Sequence, residues 1–133
     1  MVQIVNSVGK RKTAVARVVL RPGSGRININ NKEIGDYFNN EVAILRIKEP
    51  LIISNTLDKY DIKANVNSGG VSSQVDAIRL AIASAIVDIT GSEDIKEQFL
   101  NYDRSLLVAD TRVKEMYKPN DSKARSKRQK SYR

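Results

Sequence analysis

The sequence predicts a mixed fold of strands and helices, strands leading, and three patterns point to it. Val2 to Val8 and Thr13 to Leu20 alternate apolar with polar side chains, Asp58 to Asn67 does so again, and Val75 to Ile89 repeats apolar side chains at intervals of three and four. At 133 residues and 41% hydrophobic content the chain makes one compact domain with room for an appendage. Two Phe and no Trp leave Ile, Val, Leu and Ala to fill the core.

Val2, Ile4 and Val8, set against Gln3 and Ser7, read as a first strand. The β-branched run Thr13 to Leu20 reads as a second, with Gly9-Lys10-Arg11-Lys12 as a basic turn between them. Arg21-Pro22-Gly23-Ser24-Gly25 ends that strand, and Arg26 to Asn30 reads as a short third, so the chain is expected to open as a β-meander. From Ile34 to Ile53 the two-residue period is lost. Ile44, Leu45, Ile47, Leu51 and Ile52 suit short helical pieces interrupted at Pro50.

Asp58 to Asn67 is the clearest strand, with Tyr60, Ile62, Ala64 and Val66 on one face and Asp61, Lys63, Asn65 and Asn67 on the other. Ser68-Gly69-Gly70 breaks it. Val75, Ile78, Ile82, Ile86 and Ile89, flanked by Ala81 and Ala85, then define a long helix, with Ser73 and Asp76 in capping-box spacing at its start and Gly91 at its end. Ser92-Glu93-Asp94 caps a second helix and puts acids in its first turn, where the helix dipole favours them. Leu106 to Ala109 is a last apolar run, read as a strand or a docked segment. After Asp110 the core-forming pattern ends, which divides the chain into a body, 1–111, and a basic extension, 112–133.

The net charge is +8, and its location matters more than its size. Residues 112–133 hold nine Lys or Arg and two acids, which leaves 14 basic and 13 acidic residues in the body. Beyond Lys118 the extension has too little apolar area to offset its chain entropy, so alone it is expected to be disordered. A polyanion relieves the repulsion among its cations by exchanging counterions for them; a solubilising extension is the plainer alternative. Lys123, Arg125, Lys127, Arg128 and Lys130 are the phosphate-binding candidates, and Tyr132 adds a ring able to stack on a base or sugar.

Cysteine and histidine are absent, which excludes disulfide scaffolds, thiol nucleophiles, Cys or His metal sites and imidazole bases. No cofactor or metal is expected. The start lacks the layout of a signal peptide and the apolar run Leu80 to Val87 is shorter than a membrane span, so a soluble, intracellular protein without a membrane partner is expected. Acid pairs such as Asp58 with Asp61, or Glu93 with Asp94, fall at turns or helix starts and read as caps.

Ser7 to Thr13 invites comparison with a phosphate-binding loop, but Ile4 stands where that motif needs its first glycine and Arg11 where it needs Ser or Thr. Lys10, Arg11 and Lys12 instead make a cationic corner suited to backbone phosphates. Ser68-Gly69-Gly70 before a helix is open to two readings, an anion site at a dipole's positive end or a tight turn that needs glycine for steric reasons. Arg79 is placed on the exposed face of the long helix, where a phosphate contact and a solvated charge stand equally open.

Three segments in order carry a family resemblance: Val8-Gly9-Lys10-Arg11-Lys12-Thr13-Ala14-Val15-Ala16-Arg17-Val18, then Gly69-Gly70-Val71-Ser72-Ser73-Gln74-Val75-Asp76-Ala77-Ile78-Arg79, then Arg128-Gln129-Lys130-Ser131-Tyr132-Arg133. Essentially from end to end the chain resembles the ninth small-subunit ribosomal protein family, in its archaeal and eukaryotic branch. It departs from that family's usual glycines at Ser68 and Ser73, alanine at Val75 and histidine at Leu80.

The resemblance implies an α+β fold, a sheet with helices packed on it, like the second domain of ribosomal protein S5 and with its left-handed crossover. It further implies a cytoplasmic, non-catalytic constituent of the small-subunit head, with ribosomal RNA, neighbouring ribosomal proteins and the peptidyl-site transfer RNA as partners. Lys10, Arg11, Lys12 and Arg17 would meet ribosomal RNA, with Gly69, Gly70 and Gln74 shaping the loop into the long helix. Arg133 would lie near the anticodon stem-loop. Two rivals are an RNA-processing enzyme, which needs a converging acid cluster or a true phosphate loop, and a free-standing nucleic-acid chaperone.

Overall fold

The computed structural model describes residues 4–108, so the extension, its boundary with the body at 111 and the candidates Lys123 to Arg133 lie outside the described residues. The fold is α+β. Five strands, β1 (Val5–Arg11), β2 (Ala14–Pro22), β3 (Ile27–Ile29), β4 (Lys32–Glu33) and β5 (Tyr60–Asn67), form one mixed sheet in the order β1-β2-β5-β3-β4. Four helices follow the chain as α1 (Ile34–Tyr37), α2 (Glu41–Ile53), α3 (Val71–Thr90) and α4 (Glu93–Tyr102), and a 3-10 turn, Arg104–Leu106, ends the described body.

The expected alternation decides which face of each strand is buried. Ala14, Ala16, Val18 and Leu20 of β2 and Ile62, Ala64 and Val66 of β5 all point to one side, where α3 lies across β1, β2 and β5. Helix α2 packs on α3 from outside, and α4 and the 3-10 turn close the same layer with Phe99 and Leu106 fully buried. Small residues bring α3 unusually close to the sheet. A Cβ on Gly9 would fall inside the Ala77 carbonyl oxygen and 2.9 Å from the Ala81 amide nitrogen, so β1 and the helix backbone touch with no side chain between them.

The basic turn is tighter than expected. β1 runs on to Arg11, which pairs with Ala14, leaving only Lys12 and Thr13 in the turn, with Lys12 at φ 54°. The expected meander is not formed either, because β5 inserts between β2 and β3, and β3 pairs with it in parallel, Ile27 opposite Ile62 and Ile29 opposite Ala64. Asp61 is the physical reason. Its Oδ1 accepts the backbone N–H groups of Ser24, Gly25 and Arg26, each at 3.0 Å, and Gly23 N–H donates to the Lys59 carbonyl, so the turn wraps over the start of β5 and delivers the chain to its far side. Asn30 then extends the pairing, its amide bonding both N–H and C=O of Val66. Asn30 and Asn31 turn the chain into β4 in the left-handed region that Asn tolerates best after Gly.

Pro50 does not interrupt its helix. It sits buried in the last turns of α2, where apolar packing offsets the lost backbone bond, and Asn40 caps the helix start through Val42 N–H at 2.9 Å. Helix α3 begins at Val71, two residues before the expected cap, with Gly70 as its N-cap residue and no side-chain cap. Gly91 closes it and Ser92 caps α4 through Ile95 N–H, as expected. The last apolar run starts not as a strand but as the docked 3-10 turn.

Two outcomes test this arrangement. Gly9→Ala forces β1 off α3 and should cost about 3 kcal/mol, read by urea unfolding. The three N–H bonds to Asp61, Arg26's foremost, hold its carboxyl below the ordinary 3.8 against a smaller opposing effect of burial. A carboxyl lowered on folding stabilises fully above its unfolded pKa and loses that effect as pH falls through the folded value. Asp61→Asn should therefore lower the melting temperature at pH 7, with the gap narrowing only below about pH 4.

Candidate nucleic-acid interface

The sheet has a second face, and among the described residues no helix covers it. Asn6, Val8 and Lys10 of β1, Arg17 and Arg21 of β2, and Lys63, Asn65 and Asn67 of β5 are exposed there. Strand pairing sets their positions: Lys10 opposes Val15, Val8 opposes Arg17, and Arg17 opposes Asn65 in turn. Lys10 and Arg17 are diagonal neighbours on adjacent strands, close enough to act on one run of phosphates. Lys12 adds an exposed charge at the tip of the hairpin.

Arg11 separates from this group, since strand parity turns it to the helix side. Its Nε lies 3.8 Å from Asp76 of α3, and Arg46 of α2 holds the same carboxylate at 3.1 Å. Of the four residues that the resemblance implies on this hairpin, the structure thus brings Lys10, Lys12 and Arg17 together at one end of the open face and gives Arg11 to the seam between hairpin and helices.

Arg79 requires a correction. It is not on an exposed face but 4% exposed, because α3 is covered on both sides over residues 77–83. A buried guanidinium needs acids, and it has them: Nε and Nη2 reach Glu49 Oε2 of α2 at 2.9 and 2.5 Å, and Nη2 reaches Asp103 Oδ2 at 3.2 Å. The charge ties α2, α3 and the end of α4 together and is not presented to a phosphate.

The loop before α3 takes its shape from Ser68, Gly69 and Gln74. Ser68 and Gly69 both have positive φ, 67° and 76°, and a Cβ on Gly69 would stand 2.8 Å from that of Ala14, so the loop lies flat on the start of β2. Gln74 fastens it, donating Nε2 to the Ser68 carbonyl at 3.1 Å while its Oε1 accepts the Tyr37 hydroxyl at 2.9 Å. Gly70 has open space where a Cβ would be, so its part is that of N-cap residue. The positive φ and the approach to Ala14 give Gly69 a steric reason.

Sequence reasoning missed Arg21, Lys63, Asn65 and Asn67 as members of the face. The polar alternation along β5 was the signal for Lys63, Asn65 and Asn67, and Arg21 continues the outward parity of Arg17 on β2; that the two strands share one face needed the pairing of β2 with β5. Among the described residues no group of acids or other ligands is arranged to hold a metal, and no helix is long and apolar enough to cross a membrane.

Residues 9–133 match the family described as Ribosomal protein S9/S16. The chain belongs to this family. It is 45% identical over 134 residues to the small ribosomal subunit protein uS9 of Methanococcus maripaludis strain S2, covering 98% of this chain and 99% of that one. The uS9 proteins of M. maripaludis strain C7 and of Methanococcus vannielii are 44% and 42% identical over the same shares. As an S9-family ribosomal protein the chain is a structural, non-enzymatic component.

Arg79→Met would leave Glu49 and Asp103 without their shared cation. Both carboxylates reach solvent, so the expected loss is at the low end for a broken buried pair, about 3 kcal/mol in urea unfolding. RNA affinity measured well below the unfolding midpoint should be unchanged; a weakened RNA complex from a folded variant would return Arg79 to the interface.

Proposed function

We propose that this chain is a structural constituent of the small ribosomal subunit, seated in its head and acting in the cytoplasm as part of the ribosome. The observation that carries the reading is the span of the family match. It runs from Gly9 through Arg133, so the nine-cation segment 112–133 lies within the matched residues, as does the hairpin from Gly9 on. The body, 1–111, anchors on ribosomal RNA through Lys10, Lys12 and Arg17, beside neighbouring ribosomal proteins. The extension gains order on binding and runs toward the peptidyl-site transfer RNA, with Lys123, Arg125, Lys127, Arg128 and Lys130 on phosphates, Tyr132 stacked and Arg133 near the anticodon stem-loop.

Phosphate contacts supply affinity in this reading, and RNA shape supplies specificity. Arg11 and Arg79 take no part, their charges being engaged by Asp76 and by Glu49 and Asp103. A fold like the second domain of ribosomal protein S5 fits the parallel pairing of β3 with β5 across an intervening helical segment, the place where that fold has its unusual crossover.

Co-sedimentation in a gradient tests the placement: the chain should travel with small-subunit particles, and recovery at the top would leave the free-standing chaperone instead. Salt tests the mechanism. With all nine extension cations on single-strand-like phosphates, the log–log slope of affinity against salt should approach about −6, at about −0.7 per contact. A slope shallower than about −2 would mean that the extension does not contact the RNA.

A further inference from the structure

The hairpin cations occupy only one corner of the open face, and its centre has a chemistry of its own. Lys63, Asn65 and Asn67 stand in a row along β5, with Arg17 directly across from Asn65. Lys10, Arg17 and Lys63 cross three strands diagonally, a span of about 10 Å across the sheet and about 13 Å along it from ordinary strand spacings. Among the described residues these three cations form no ion pair, and the side chains of Asn65 and Asn67 make no hydrogen bond. Asp61, the acid at the far end, is committed to the turn over β5. The face therefore offers positive charge around a neutral amide pair.

We propose that this open face binds double-stranded RNA, with Lys10, Arg17 and Lys63 on phosphates and the Asn65 and Asn67 amides on ribose 2′-hydroxyls. The inference rests on the RNA-binding reading above and adds the form of RNA and the residues that select it. Charge complementarity brings a polyanion to the face. No aromatic side chain among the described residues lies on it, so it lacks the stacking platform that single-stranded RNA requires. An A-form helix instead presents a wide, shallow minor groove lined with 2′-hydroxyls, which a gently twisted sheet can approach. An asparagine amide both donates and accepts, as a 2′-hydroxyl does, so the pair distinguishes ribose from deoxyribose.

The test uses the full chain and three probes: a short RNA hairpin, a DNA duplex of the same sequence and a single-stranded RNA of the same length. The RNA hairpin should bind tightest. Asn65→Ala and Asn67→Ala should each remove about fivefold of the RNA-over-DNA preference, one ordinary hydrogen bond apiece, while Lys63→Ala should lower the salt slope by about 1. All three positions are exposed, so the melting temperatures should match the wild type; protection of riboses from 2′-hydroxyl-reactive reagents on the wild-type complex gives a readout independent of the variants. Unchanged preference in the variants with no ribose protection, while the wild type still binds RNA, overturns this inference and leaves the ribosomal reading standing. Failure of the wild type to bind RNA of any form removes both.

Discussion

The contact between Gly9 and the backbone of α3 is the constraint from which the rest of the molecule follows. Because β1 has no side chain at that point, the helix settles onto the sheet at backbone distance, and Ala14, Ala16, Ala77 and Ala81 keep the seam narrow on either side. Nothing larger fits, and that is why so much of the core is alanine rather than aromatic. Close packing of this kind is rigid, since dense interiors leave no space for a strand to shift. Strand parity then fixes every second residue of the hairpin outward, and Lys10 and Arg17 are held in a set relation to each other.

Arg79 shows the same logic in the second layer. Over residues 77–83, where α3 is covered by the sheet on one side and by helices on the other, it has no solvated face to give a charged side chain. Its guanidinium is retained only because Glu49 and Asp103 meet it from two different elements. Removing the whole set for apolar residues is often neutral for such networks, whereas removing one member is not, so the network's value lies in fixing how α2 and α4 sit on α3. The body's near-neutral charge has a structural side as well: Asp76, Glu49, Asp103 and Asp61 are engaged by cations or backbone N–H groups of the body itself.

What was legible in the sequence is what short-range periodicity controls. The faces of β2 and β5, the existence of α3 and α4, and their Gly91 and Ser92 boundaries all follow from neighbours within four residues. The misses are long-range. β3 could be recognised as a strand but not as a parallel partner of β5, because the cause is a carboxylate 35 residues away from the amide it binds. Arg79 read as exposed because a 3.6-residue pattern counts apolar positions and cannot see a second layer arriving on the polar side. Arg11 groups with Lys10 and Lys12 in the sequence because a four-residue turn hides parity; once the turn shortens to two residues, adjacent positions face opposite ways.

That parity bears on the different parts proposed above for the basic hairpin and the basic extension. A cation on a strand backed by a rigid helix cannot move to find a phosphate, so it favours only RNA surfaces whose phosphates already stand at matching positions; it reads shape. In the proposed reading a cation of the extension, whose sequence has no core-forming pattern, instead draws its affinity from counterion release along the RNA. An arrangement with all the charge on the body would bind tightly but reach nothing beyond its footprint, and one with all of it on the extension would bind any polyanion. In the proposed reading, dividing the cations between the body and residues 112–133 lets the fold decide where the protein sits and lets the extension carry charge beyond that seat.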